Sequence, residues 1–196
     1  MPFSALPVVD LSSIRFRPDP RGRYGAAVIG STPRPLLFLD VDGPLIPFGA
    51  TREQYPDGYP TYTPHDGNGN PLLARVNPAL GPQLMALPCD LVWATTWESE
   101  ANECLAPLLG LPQLPVVTWP EPSDEPEPSG LHWKTRTLID WSAARPFAWL
   151  DDEITDTDRT WTATHHPAPT LLHRVDHRHG LTDADFAVLD EWLRAG

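Results

Sequence analysis

Two acids, Asp40 and Asp42, follow the apolar run Leu36-Leu37-Phe38-Leu39, and Gly43 comes directly after them. In an extended chain, residues i and i+2 point the same way, so both carboxylates can project into one site. Gly43 frees the backbone to turn at once. A second apolar run ends in Thr95-Thr96. A hydroxyl there can donate to a phosphoryl oxygen or cap the helix that follows. A third run, Phe147-Ala148-Trp149-Leu150, ends in Asp151-Asp152, with Asp156 close behind. Adjacent buried carboxylates repel and raise each other's pKa unless a cation lies between them. Hard oxygen ligands of this kind suit Mg²⁺, which shares its shell with waters and substrate phosphate. Lys134 is the one lysine, against thirteen arginines. A compact ammonium is kept where a planar guanidinium cannot serve, or survives by chance. Acids also end strands without any chemical role, so each motif alone leaves both readings open.

Apolar strands must carry these groups. The strand candidates are residues 36–39, 91–94, 116–119, 147–150 and 171–175, whose near-continuous apolar character suits a parallel sheet covered on both faces. Helices are expected at residues 78–86, 98–108, 134–141, near 156–162, and at 183–194. The last opens on Thr182-Asp183-Ala184-Asp185, an acidic variant of a capping signal, with Phe186, Leu189 and Leu193 on one face. Pro107 should end or kink the second helix. Strand and helix alternate, which predicts an α/β fold with a doubly wound parallel sheet. Sites in such sheets lie beyond the carboxyl ends of the strands, where the acids fall.

Residues 1–34 read as an N-terminal extension packed on a domain spanning 35–196. Within that domain, residues 44–77 form an insert. Its runs 59–63 and 72–76 flank Asp66-Gly67-Asn68-Gly69-Asn70, which predicts a short β-hairpin flap over the Asp40 site. Residues 120–130 read as an acidic, proline-rich linker.

The chain has 196 residues, 41% hydrophobic, enough for a real core. Its 25 prolines show no period and read as stiffeners of long connections. Fourteen basic residues against 26 acidic ones leave a net charge of −12. Such a surface repels nucleic acid, so a polynucleotide substrate would need a local basic patch or a bound cation. Cys89 and Cys104 read as free core thiols, which suits a reducing cytoplasm. No signal-like pattern or membrane-length apolar run occurs, so a soluble, cytoplasmic protein without membrane partners is expected. Trp93, Trp97, Trp133, Trp141 and Trp149 are expected in the core. The histidines at 165, 166, 177 and 179 lack acids at ligand spacing and are not expected to hold a metal.

Asp40-x-Asp42-Gly43, Thr95, Lys134 and Asp151-Asp152 come in the order and strand-end context of the four motifs of the haloacid dehalogenase (HAD) superfamily. The chain resembles compact, phosphatase-like HAD domains, including those of RNA-repair proteins. The resemblance spans residues 36 to about 156 and departs at Pro44, where the family more often has Thr or a small apolar residue. It implies a Rossmann-like, HAD-like fold with a minimal cap, and a Mg²⁺-dependent phosphatase. Asp40 would be the nucleophile and Asp42 the acid and base. Thr95, with Thr96 as alternative, and Gly43 would meet the phosphoryl group, and Lys134 would offset its charge. Mg²⁺ would be held by Asp40, the Asp42 carbonyl and the Asp151/Asp152 pair, Asp152 favoured as the direct ligand and Asp156 supporting. The substrate would be a phosphorylated small molecule or macromolecular end, nucleic acid among the options. Rival readings are a non-catalytic binding module of the same fold and a phosphotransferase to an acceptor other than water.

Overall fold

The computed structural model describes residues 33–63, 70–120 and 130–195. The expectation for the N-terminal extension therefore lies, up to residue 32, outside the described residues, as do the hairpin tip at 64–69 and the acidic linker at 121–129.

Four parallel strands form one sheet in the order β2-β1-β3-β4. They are β1 (Leu36–Leu39), β2 (Asp90–Trp93), β3 (Phe147–Asp151) and β4 (Thr170–Arg174). The chain runs outward from β1 to β2, then returns past β1 to build β3 and β4 on its other side. That reversal opens a crevice between β1 and β3 at their carboxyl ends, the usual ligand position of a doubly wound sheet.

Every β1 residue is buried, and alternate residues serve opposite faces. Leu37 and Leu39 join the core with Leu80 and Leu84 of α1 (Leu80–Ala86) and with Phe186, Leu189 and Leu193 of α5 (Asp183–Ala195). Leu36 and Phe38 face the other layer, with Trp149 and with Leu138 of α3 (Thr135–Ser142). Near-continuous apolar strands are what a sheet covered on both sides requires. At the start of α5, the Thr182 N–H and hydroxyl donate to the Asp185 carboxylate at 2.8 and 2.6 Å. Cys89 and Cys104 are free, and burial pushes the Cys89 thiol up to about 12, so it stays protonated and inert.

Three expectations need correction. Residues 116–119 form no strand; Val116 makes a single parallel bridge to Trp93. Pro115 and Pro120 flank this edge and cannot donate to a ladder. The helix expected over 98–108 is broken into a π-turn at Ala101–Leu105 and a short α2 (Ala106–Leu109). Pro107 has no N–H to give Glu103, and the Ala106 N–H reaches back to Ala101 instead. The second hairpin arm is a 3₁₀ helix, Pro71–Arg75. Asn70, expected in the turn, caps it by accepting the Leu72 N–H at 3.0 Å, with Pro71 at the first helical position. The two arms still meet, the Tyr62 N–H donating to the Ala74 carbonyl at 2.7 Å.

Candidate active site

Asp40 leaves β1 but keeps its backbone in the sheet, donating its N–H to the Leu150 carbonyl at 3.1 Å. On the other side, the Ala94 N–H donates to the Leu39 carbonyl at 2.9 Å. The ends of β1, β2 and β3 are thereby level; Asp151 closes β3, and Asp40, Thr95 and Asp152 lie just beyond the strand ends, all four buried.

Asp40, Asp151 and Asp152 each offer a carboxylate oxygen to one group, those atoms lying within 4.8 Å of one another. Lys134 is buried beside them. Its Nζ is 2.9 Å from Asp40 Oδ2 and 2.8 Å from Asp151 Oδ2. Burial pushes the Asp40 carboxyl up; Lys134 pulls against it and Asp151 adds to it, and the group rests at about 7. Burial lowers the Lys134 pKa, but the two carboxylates outweigh it and the ammonium is held above its usual value. Burial and the Asp151 charge also raise Asp152. Three carboxylates around one ammonium leave a surplus of negative charge that favours a further cation. Hard oxygens alone suit Mg²⁺, so the donor set fits that ion.

The two neighbouring acids are differently engaged. Asp151 Oδ2 is taken by Lys134, and its Oδ1 accepts the Glu153 N–H at 2.9 Å. The side-chain contact of Asp152 is looser, with His177 Nδ1 3.8 Å from its Oδ2. Asp152 is pressed against the turn after Asp40. Gly43 there has φ +85°, and a β-carbon on it would lie 2.7 Å from Asp152 Cγ. Gly43 therefore sets how closely Asp152 approaches the end of β1. That turn is closed by the Leu45 and Ile46 N–H groups, both donating to the Val41 carbonyl, and by Gly43 N–H to the Ile46 carbonyl.

The Asp42 carboxylate is not in the three-acid group. Its Oδ2 accepts the Trp97 indole N–H at 3.0 Å. Thr95 is fully buried, and its hydroxyl oxygen accepts the Trp97 backbone N–H at 3.3 Å, leaving its own proton to donate elsewhere. Trp97 thus ties both residues to one loop. Thr96 is exposed. Asp156, expected to support the metal, instead opens α4 (Asp156–His165), its exposed carboxylate paired with Arg159 at 3.0 Å. A helix start points that side chain to solvent, and the supporting role is not met.

Sequence reasoning missed Asp158. Its buried carboxylate accepts the His132 N–H at 2.8 Å and the Thr135 hydroxyl at 2.6 Å on Oδ1. Its Oδ2 takes the N–H and hydroxyl of Thr155 at 2.8 and 2.6 Å. Burial pushes this carboxyl up, but the hydrogen bonds outweigh it and hold it below the usual range. The residue pins the loop carrying Lys134 to the start of α4. Within that loop the Lys134 N–H donates to His132 Nδ1 at 3.1 Å. The other His132 nitrogen must then carry the proton, which faces Glu153 at 3.2 Å. Thr155-x-x-Asp158 was the available signal, a capping box with Asp in place of Glu. Trp133, expected in the core, is 43% exposed and lies with its ring centroid 5.5 Å from Lys134 Nζ.

Among the described residues no helix is long and apolar enough to cross a membrane. His165 stacks on Trp161, and His166 faces the Arg145 carbonyl. A family model described as the HAD domain in Swiss Army Knife RNA repair proteins matches residues 36–186. No curated protein and no solved structure matches the chain.

Proposed function

Because the chain belongs to the HAD domain family of Swiss Army Knife RNA repair proteins, we propose that it is a Mg²⁺-dependent phosphomonoesterase working through an aspartyl-phosphate on Asp40. The observation that carries this reading is the buried Asp40 carboxylate, 2.9 Å from the Lys134 ammonium within a group of three acids. The family's description favours a phosphorylated RNA end as the substrate class.

An Asp40 oxygen attacks phosphorus, and the bond from phosphorus to the ester oxygen breaks as the new bond forms. Asp42 gives its proton to the departing oxygen. It then takes one from water, whose oxygen attacks phosphorus and returns Asp40 as a free carboxylate with release of inorganic phosphate. The indole of Trp97 steadies Asp42 for both transfers. The Thr95 hydroxyl donates to a phosphoryl oxygen. Lys134 offsets the charge gathered at Asp40 and the transferring group, the main electrostatic demand of the step. Asp40, Asp152 and the Asp42 carbonyl would hold Mg²⁺, with Asp151 in support, and the ion would supply further positive charge for the phosphate.

The test is hydrolysis of an aryl phosphate with and without Mg²⁺ by the protein and by Asp40→Asn. Removing the nucleophile deletes the covalent route, so kcat should fall to background while the fold persists. Full activity in purified Asp40→Asn would sink the mechanism. An inactive protein that still binds Mg²⁺ and a phosphate ester would favour the binding-module reading.

A further inference from the structure

Of the three acids grouped at the strand ends, Asp152 has the loosest hold on its carboxylate. Asp40 and Asp151 share the Lys134 ammonium at 2.9 and 2.8 Å, and Asp151 also accepts the Glu153 N–H. Arg174 Nε donates to the Asp152 carbonyl at 2.7 Å, which fixes the backbone there and leaves the carboxylate open. Among the described residues, the one side chain paired with that carboxylate is His177, its Nδ1 3.8 Å from Oδ2. A carboxylate that ligates a metal through one oxygen is normally steadied by a hydrogen bond to the other. His177 is placed to give it.

His177 is itself held by the start of the insert. The Phe48 N–H donates to the His177 carbonyl at 2.8 Å, and the Phe48 ring stacks on the imidazole with centroids 4.9 Å apart. Gly49, at φ +73°, lies so close that a β-carbon on it would be 3.3 Å from Cδ2 and Nε2 of that ring. Nδ1, across the ring from those two atoms, faces Asp152. The Leu181 N–H donates to the Pro44 carbonyl at 2.9 Å, so residues 44–48 and 177–181 are fastened to each other at both ends. One stretch of chain thus brackets Asp152. Gly43 lies against its Cγ, and Phe48 and Gly49 place the imidazole beside its Oδ2.

We propose that His177 is a positioning residue for Asp152, and that the first residues of the insert set the Mg²⁺ affinity of the site through it. With its proton on Nδ1, the imidazole donates to Asp152 Oδ2 and leaves the other oxygen to the ion. The 3.8 Å separation exceeds a hydrogen bond, and a side-chain adjustment of roughly 1 Å closes it. His177 supports a ligand and is not one itself. The base of the insert is then part of the metal site as well as a cover for it. The inference rests on the Mg²⁺ site of the phosphomonoesterase reading.

Calorimetric titration of Mg²⁺ into the protein tests it without turnover. His177→Ala should weaken Mg²⁺ binding about tenfold or more, the usual cost of removing a group that orients a metal ligand. His177→Asn, whose amide N–H can take the place of Nδ1–H, should recover most of the loss. Phe48→Ala should weaken binding in the same direction but less, because its backbone bond to His177 remains. Adding Phe48→Ala to His177→Ala should cost nothing further, since Phe48 acts through the imidazole. A purely structural role would lower Tm in EDTA and leave Mg²⁺ affinity unchanged in His177→Ala, and that result would overturn the proposal. Equal weakening by His177→Ala and His177→Asn would overturn the hydrogen bond, and a further loss in the double variant would overturn the route from the insert. The two readings fail separately. A protein that takes up no Mg²⁺ removes the metal site and this inference with it. Mg²⁺ binding undiminished in His177→Ala removes the inference alone. Binding that depends on His177, without aryl phosphate hydrolysis, removes the phosphatase and leaves the role of His177 standing.

Discussion

The Lys134 ammonium lies 2.9 Å from the Asp40 carboxylate at the carboxyl end of the central strand, with both groups buried. This pairing joins the first motif to a residue 94 positions later. It also explains why one lysine suffices. A compact ammonium can bridge Asp40 and Asp151 at once, whereas a planar guanidinium is larger and prefers a two-pronged partner.

Lys134→Met should therefore lower kcat by about a hundredfold or more, the usual cost of removing one preorganised charge or donor. Lys134→Arg should recover little of it. Steady-state kinetics on an aryl phosphate at saturating Mg²⁺ checks this, and near wild-type kcat in Lys134→Met would refute it.

Gly43→Ala should damage the metal site more than the fold. The added β-carbon would meet Asp152 Cγ at 2.7 Å, and φ +85° is strained for alanine. We expect a stability loss of about 1–2 kcal/mol and at least a tenfold rise in the Mg²⁺ concentration needed for half-maximal activity. Titration of activity with Mg²⁺ separates the two effects. An unchanged Mg²⁺ requirement would show that Asp152 tolerates displacement.

Asp158→Asn should cost about 2 kcal/mol, because an amide presents N–H groups to donors that the carboxylate satisfied. Since Asp158 anchors the Lys134 loop without reaching the acid group, kcat should fall while the Mg²⁺ requirement holds. Its depressed pKa also carries a sign. The stabilisation is present above the ordinary carboxylate range and is lost as pH falls below it, so Asp158→Asn should flatten acid denaturation. Urea unfolding at pH 3 and pH 7 measures both.

Asp40 predicts the opposite dependence at higher pH. Its carboxyl rises from 3.8 to about 7 in the metal-free site, so the folded chain holds a proton the unfolded chain has released. That contribution is full below about pH 4 and is lost as pH rises through about 7. In EDTA, Tm should therefore decline between pH 5 and pH 8. Millimolar Mg²⁺ should raise Tm more at pH 8 than at pH 5, because binding expels the proton. Thermal unfolding by circular dichroism checks it. A Tm in EDTA independent of pH would show that Asp40 is already ionised.

Much of the site was legible because its signals are local. A strand buried on both faces must be apolar, so Leu36–Leu39 and Phe147–Leu150 stand out, and acids closing such runs fall at the crevice end of a parallel sheet. The residue order of the four motifs added the family. Other features depend on groups far apart in the chain. Trp97 meets Asp42 across 55 positions and Asp158 meets His132 across 26, and no periodicity marks such pairs. The 3₁₀ helix at Pro71–Arg75 shows the same limit. Its Asn-Pro start serves a hairpin turn or a helix cap equally well. The sequence by itself determined which residues end the strands and that their charges cannot all be buried unpaired. The tertiary structure alone decided which carboxylate Lys134 shares, which acid Gly43 admits, and which loop Asp158 holds. Those choices rest on angstrom-scale packing between elements that the chain order leaves free.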